Sequence, residues 1–533
     1  MTLSARLSPR IVLPLTAACM LTGAATVSDA ETLTFTTSRE LWHAYTQSPQ
    51  DHPNIPDVSY AGYRYSERPL PAADVVANVR EHGARGDGRA DDSDAFDAAI
   101  AAASEAGGGA IFIPAGTYRL TRVLALNQSN LVLRGAGPPR TTLRFERPIN
   151  ELFEPGRGMH GSWYGGLIWI EPDGPQVPFG GRAVSPDAIA ATGAARMGQH
   201  EVGVRAEDAA RLAGHVGRPV KLSWRGDMEL AWHIAGHESM RRAHFGNLGG
   251  ALRDGVLTWH WVNEIESVED DRVRFRKPLR LDVREGWTLK IDPDARFIEE
   301  VGVEHLSIRF PQVQKKPHLQ EDGYNAIMLS RAVHCWVRNV WIEHADNGII
   351  VTNNSANNTL THWRLMGRRN HHGTMCRAGA HDNLFEHFLI ESRPDHGLNT
   401  EGLSSGNVWR RGVMRNGTFD SHGMMSFDSV RTVIEVRNTG GPGGRRDFGP
   451  FNGRRMVHWN INVTNDRPDW ITQPALMPSG AIVGIRGAPL DRRERDLWLM
   501  PDGLDKGCVV ADMGRVPVPP DLFEAQRRRR LGR

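Results

Sequence analysis

Between Tyr324 and Phe427 one short pattern returns five times, and it restricts the fold more than any other feature of the chain. It reads Asn325-Ala326-Ile327, Asn347-Gly348-Ile349, His372-Gly373-Thr374, His396-Gly397-Leu398 and His422-Gly423-Met424, at steps of 22, 25, 24 and 26 residues. A unit this short cannot bury its own apolar face, so the units must stack as a solenoid of strands. Stacking sets equivalent residues in columns, about 4.8 Å apart from coil to coil. One column changes from Asn to His in mid-solenoid, and that change marks the expected functional site. A second column, Cys335, Asn358, Asn383 and Asn407, keeps the same register at steps of 23, 25 and 24. Asn at a repeated turn tolerates left-handed backbone and bonds its neighbours in a ladder, so this column is structural.

The rest of the chain divides around that solenoid. Arg6 and Arg10 precede the apolar run 11–25, and Val27-Ser28-Asp29-Ala30 offers small residues for cleavage, so 1–30 is expected to be a signal peptide. The mature protein is then secreted or periplasmic, with no membrane attachment once the signal is removed. Residues 31–75 lack a period and are expected to wrap the outside. A helix is predicted over 95–106, capped by Asp92 or Ser93, with Phe96, Ile100 and Ala103 on one face. It opens a segment, 76–149, of cap and first coils. Residues 150–296 break the rhythm and are expected to be a β-rich insertion overhanging the cleft. Its aromatics Trp163, Tyr164, Trp232 and Trp259 would stack on sugar rings or fill the insertion's own core. The main solenoid spans 297–468. The tail 469–533 ends in Arg527-Arg528-Arg529-Arg530, expected to be solvated and disordered. A formal charge of +2 argues against a global field for nucleic acid. After signal removal an odd number of cysteines remains, so no disulfide framework is expected, and Cys335 and Cys376 are placed in the core.

The run from Gly86-Asp87-Gly88 through the helix to Ile113-Pro114-Ala115-Gly116-Thr117-Tyr118 resembles the opening of the pectate-lyase-like right-handed parallel β-helix proteins. That group includes polygalacturonases, rhamnogalacturonases, polysaccharide lyases, an epimerase group and phage tailspikes. The resemblance implies an all-β, right-handed parallel β-helix whose N-terminal helix caps the open end. It covers about residues 75–145 and is specific for the fold rather than for a reaction. Polygalacturonases carry Asn-Thr-Asp, Asp-Asp, Gly-His-Gly and Arg-Ile-Lys. This chain has Asn399-Thr400-Glu401 and Ser421-His422-Gly423 but neither of the other two, which speaks against that activity. Calcium-dependent pectate lyases use an Asp cluster and an Arg base. No clear Asp cluster falls on these coils, and calcium stays an open possibility as cofactor.

Strand alternation turns the second and fourth positions after each repeated Asn or His inward. Two outward columns then concentrate His371, Arg377, Asp395 and Glu401 on adjacent coils, with His372, His396 and His422 beside them. A one-residue change of parity at the turn would instead face the three His to the cleft and move the acids to its edge. Two chemistries fit these groups. A lyase removes the proton beside a uronate carboxylate and breaks the glycosidic bond by β-elimination, which needs a base, a neutralising cation and a proton donor. His371 or His396 would be base or acid and Arg377 the neutraliser, with Arg445, Arg446 and Asn399 as further substrate contacts. A hydrolase would use paired carboxylates, Asp395 with Glu401 or Asp420. The expected partner is a polysaccharide, acidic in the favoured lyase reading. The alternatives are a glycoside hydrolase and a non-catalytic carbohydrate-binding adhesin. Imidazoles and Asp also suit a transition metal.

Overall fold

A computed structural model of the chain describes residues 36–153, 161–175, 183–236, 242–440, 444, 448–492 and 507–533. The expected signal segment 1–30, Arg445 and Arg446 lie outside the described residues. The fold is the expected parallel β-helix. Its largest sheet is parallel throughout, from Val75–Asn78 and Gly109–Ile113 through Gly302–Arg309, Trp336–Glu343 and Thr359–Met366 to Val457–Val463 and Val509–Ala511. A second parallel sheet runs in the order Leu124–Leu126, Ile168–Ile170, Asn325–Ser330, Asn347–Thr352, Asn370–Cys376, Pro394–Thr400, Phe419–Ser421. A third column of short bridges links Val333, Ala356, His381, Ser405 and Phe427. Ile327, Leu329, Ile349, Val351, Cys376 and Leu398 point into the shared core, as alternation requires. Cys335 and Cys376 are both buried free thiols.

The Asn ladder forms where the 22–26-residue period places it. Nδ2 of Asn358 donates to Oδ1 of Asn383 at 2.8 Å, and Nδ2 of Asn383 donates to Oδ1 of Asn407 at 3.0 Å. The left-handed backbone lies one residue earlier than expected, at Asn357, Asp382, Gly406 and Asp428, with φ of 54°, 53°, 67° and 54°. The ladder Asn is therefore extended enough to turn its amide inward, and the residue before it absorbs the bend.

The capping helix is Ser93–Glu105, with Ala95, Phe96, Ala99, Ile100 and Ala103 buried against the first coils. Burying Phe96 alone contributes about 1.5–3 kcal/mol. Asp92 does not cap it by its side chain. Its carboxylate accepts instead from the backbone N–H groups of Arg85 and Gly86, at 2.6 and 3.2 Å, and ties the Gly-Asp-Gly loop to the helix start.

Strand Ile168–Ile170 pairs with Leu124–Leu126 and with Asn325–Ser330, so the solenoid continues into the stretch expected to be all insertion. The inserted antiparallel sheet is built from strands between Ile189–Ala190 and Thr288–Asp292. Its core holds Trp224, Trp259 and Trp261, all buried. Tyr164 is buried against Trp169 and Met328. Trp259 and Tyr164 therefore serve packing, while Trp163 and Trp232 lie at the margins of their clusters.

The C-terminal arginines also differ from expectation. Leu522–Arg530 is a helix, N-capped by Asp521, with Leu522 and Phe523 buried. Arg530 pairs with Glu67, donates to the carbonyls of Ser59 and Tyr65, and lies 4.2 Å over the Tyr60 ring. The run of positive charge is a clamp on the N-terminal segment, because each guanidinium has a carbonyl, carboxylate or ring to meet. Among the described residues no helix is long and apolar enough to cross a membrane.

Asp382, at a left-handed turn, fastens the insertion to the solenoid. Its carboxylate takes Lys277 Nζ at 2.7 Å, the Arg280 guanidinium and the Trp261 indole N–H at 3.1 Å, all in buried surroundings. Asp382→Ala would leave two buried cations without this partner and should cost about 3–5 kcal/mol. Urea unfolding of the variant measures this, and a loss below about 1 kcal/mol would show that the insertion is anchored elsewhere.

Candidate functional site

The second sheet presents three outward columns. The first is Asn325, Asn347, His372 and His396, which are direct partners in register. The second is Met328, Ile350, Met375, Asn399 and Asp420. One step beyond the paired Thr400 and Ser421 come Glu401 and His422, in line with Arg377. The structure thus takes the alternative parity: His372 and His396 face outward and Asp395 stands at the edge. His422 does not follow His396. The last coil is shorter, with Asn399 opposite Asp420 at a spacing of 21 residues, so Asp420 arrives beside His396.

The first column is a directed hydrogen-bond chain. Asn325 Nδ2 donates to the carbonyls of Gly161 and Tyr164, and Asn347 Nδ2 donates to Asn325 Oδ1 at 2.6 Å. His372 Nδ1 lies 2.8 Å from Asn347 Oδ1, which can only accept, so the imidazole proton sits on Nδ1 and Nε2 keeps its lone pair. His371 Nδ1 lies 2.8 Å from the carbonyl of Ser162 and is oriented by the same logic. Burial, and after it neighbouring imidazoles, holds His371 and His372 well below the usual value of 6.5, so both are neutral at pH 7.

His396 differs. Its Nδ1 meets Asp420 Oδ2 at 2.9 Å, and Asp420 also accepts from Asn399 Nδ2 at 2.7 Å. Burial pushes His396 down, but the Asp420 charge and hydrogen bond outweigh it, and its pKa is raised above 6.5. Asp420 is held below 3.8, its burial outweighed by His396. The rings of His371, His372 and His396 lie 4.0–5.1 Å apart. One imidazole whose charged form is favoured thus lies beside two whose charged forms are disfavoured.

The other expected residues are in ion pairs. Arg377 meets Glu401 at 2.7 Å and donates to the Trp163 carbonyl at 2.8 Å. Asp395 is paired with Arg369 and with Lys315, the latter at 3.1 Å. His422 lies 6.3 Å from His396, ring to ring, at the margin. Sequence reasoning missed the segment 310–324. It brings Lys315, paired with buried Glu321 at 2.8 Å, and the exposed His318, whose ring is 4.6 Å from His371. The signal was its length: the equivalent turns are only 344–346 and 367–369. Buried Arg431 was missed too. It lies beneath the sheet and donates to the Leu398 and Asp420 carbonyls at 3.0 and 3.4 Å.

His318, His371 and His396 bring ring nitrogens within 4.8 Å of one another. Such donors suit zinc or another transition metal. They do not suit calcium, which takes about 6–8 oxygens. The raised pKa of His396 carries a testable consequence. In wild-type protein its imidazole should titrate above 6.5. In Asp420→Asn, which removes the strongest group opposing burial and leaves only Asp395 and Glu401 to oppose it, it should titrate lower than in the wild type. Imidazole ¹⁵N NMR, assigned with His396→Gln, reads both values. A wild-type value at or below that of free imidazole would refute the pairing.

The family described as "Rhamnogalacturonase A/epimerase, pectate lyase-like" matches residues 76–156. Among curated proteins the chain is 41% identical over 73 residues to Alginate lyase 7 of Azotobacter vinelandii, covering 13% of this chain and 8% of that protein. It is 42% identical over 74 residues to Mannuronan C5-epimerase AlgE3 of the same organism, covering 13% of this chain and 4% of that protein. The chain thus spans less than a tenth of the length of either relative. Among solved structures, the tailspike gp49 of Pseudomonas phage LKA1 matches over 77% of this chain and 64% of that one, with 13% identity and a TM-score of 0.49. Residues 76–156, which match the pectate-lyase-like family, form the opening of the parallel β-helix.

Proposed function

We propose that the protein is an exported polysaccharide lyase that cleaves a uronic-acid-containing glycan by β-elimination. One observation carries the reading: His396, bonded to Asp420 at 2.9 Å and raised by it, lies 5.1 Å ring to ring from His371, which burial keeps neutral. β-Elimination asks for such a division, since one group takes the proton beside the uronate carboxylate while another protonates the leaving oxygen. His371, with Nδ1 held by the Ser162 carbonyl, is the base through Nε2. His396 is the acid, and Asp420 positions it. Arg377, fixed by Glu401 and the Trp163 carbonyl, supplies positive charge for the substrate carboxylate. The local similarity to an alginate lyase and to mannuronan C5-epimerases supports the same substrate class, because epimerisation begins with the same proton removal. The hydrolase alternative is weaker here. A hydrolase needs one carboxyl that keeps a proton, whereas His396 holds Asp420 below its ordinary value, and Asp395 and Glu401 are tied up in ion pairs with Arg369 and Arg377. A pure adhesin has no use for such a proton division.

The first test follows ultraviolet absorbance and new reducing ends together on a panel of acidic and neutral polysaccharides. Absorbance from unsaturated uronate that rises with the ends is the expected outcome; ends without absorbance mean a hydrolase. His396→Gln and Asp420→Asn should lower kcat by about 10²–10⁴-fold. In Asp420→Asn the alkaline limb of the pH profile should also move to lower pH, because the folded-state pKa of His396 falls. A variant with full activity places the chemistry elsewhere.

The reading assigns no step to a metal. Turnover should therefore survive exhaustive chelation. Loss on chelation that zinc restores, but calcium does not, would instead make His318, His371 and His396 a metal site.

A further inference from the structure

The insertion carries a polar face opposite its apolar core, on which buried Ser223 and His260 bond each other at 2.8 Å. Residues of its three central strands alternate. Leu222, Trp224, Trp259, Trp261, Leu289 and Ile291 fill the insertion core, while the alternate positions form the opposite face. That face is two rows in register: His260, Ser223 and Lys290, then Thr258, Arg225 and Thr288. Six positions thus hold three hydroxyls, an imidazole, two cations and no carboxylate.

This face lines a cleft of about 710 Å³. Pockets of roughly 300–1,000 Å³ hold ligands of this kind of size, here a short oligosaccharide. Across from it lie the turns Ala378-Gly379 and Gly402-Leu403. They immediately follow Arg377 and Glu401 on the outward columns. Gly379 and Gly402 have φ of 76° and 66°, and a Cβ at either would meet neighbouring atoms at 2.3 and 2.7 Å, so only glycine fits there. The cleft therefore continues the catalytic face past the ends of its strands, about five residues or 16 Å beyond the histidines.

The cations are the informative part. Elsewhere on the same inserted sheet, Lys221 is paired with Asp292 at 3.3 Å and Arg274 with Glu201 at 2.8 Å. Among the described residues no carboxylate pairs with Arg225 or Lys290, although both line the cleft. A sheet that pairs Lys221 and Arg274 internally leaves Arg225 and Lys290 on one face where a glycan chain would pass.

We propose that this face of the insertion is a remote subsite for a second uronate unit of the same chain. The subsite takes that unit's carboxylate on Arg225 and Lys290 and its hydroxyls on Thr258 and Thr288. A guanidinium fork matches a carboxylate in two hydrogen bonds, which gives selectivity for acidic over neutral sugar. The inference rests on the proposed acidic-glycan substrate. It adds that long chains are preferred, and that the insertion rather than the solenoid sets the preference.

The test uses the full-length protein with ladders of oligomannuronate and oligogalacturonate. Arg225→Ala/Lys290→Ala should lower the ratio of kcat/KM for long over short chains by about tenfold or more. The charge-keeping Arg225→Lys/Lys290→Arg should recover part of it, which a misfolded variant would not. An unchanged ratio overturns the subsite. Calorimetric binding in a His396→Gln background separates the two readings. Acidic oligosaccharide bound equally well with and without Arg225 and Lys290 overturns the subsite and leaves the lyase reading standing. Carboxyl-reduced, neutral oligosaccharide bound as tightly as the acidic form overturns the acidic-glycan reading and the subsite with it.

Discussion

Hydrogen-bonded register between parallel strands positions every group discussed above. Once Asn325 opposes Asn347, Asn347 opposes His372 and His372 opposes His396, four side chains stand about one strand spacing apart with no freedom to slide. The donors of this column all point toward the first coils and end on the carbonyls of Gly161 and Tyr164. Each imidazole that joins must present Nδ1–H backward and Nε2 forward. The lone pairs therefore gather at the open end, where His396 breaks the chain by turning to Asp420. A solenoid thus converts a repeated residue into an oriented set of acceptors.

Burial then sorts the protons. His371 and His372 lose water and face neighbouring imidazoles, so their charged forms are disfavoured although Glu321 Oε1 lies 3.6 Å from His371 Nδ1. His396 loses water as well, yet one short contact to Asp420 reverses the sign. The other ionised groups of the site are matched at close range: Arg377 with Glu401, and Lys315 with Glu321 and Asp395. Such pairs add little to stability, but they hold a cation at a defined place in a buried site.

Much of this was legible in the residues, and the misses have physical causes. The period, the inward positions and the Asn ladder followed from apolar alternation and turn chemistry, both local properties. The His-Gly repeat at His422 misled because it matches by identity, whereas pairing is decided by what fills the core. Phe419 takes the slot next to Leu398, which draws Asp420 and Ser421 into register and leaves His422 in line with Glu401, five residues past the His column. Lys315, His318 and Glu321 lie on a long turn without a period, so no pattern marked them. The C-terminal arginines read as solvated charge because their partners, Glu67 and the carbonyls of Ser59 and Tyr65, are more than 460 residues away in sequence.

The insertion owes its place to charge rather than to apolar area alone. Asp382 and Asp428 occupy the left-handed positions before two ladder residues, Asn383 and Ser429, so the bend that builds the ladder also turns both carboxylates outward. There they meet Lys277 and Arg280 from the insertion and Arg455 from a later coil, with Asp428 to Arg455 at 2.7 Å. Removing two carboxylates and three cations from water is costly, and apolar residues would hold two layers together at least as firmly. What apolar contact lacks is registry, since it tolerates sliding. Paired charges fix the inserted sheet at one setting against the coils. That setting places its polar rows opposite Gly379 and Gly402, beside the strand ends that carry Arg377 and Glu401. The ladder that stabilises the solenoid thereby also sets the position of the wall facing its histidine-bearing sheet.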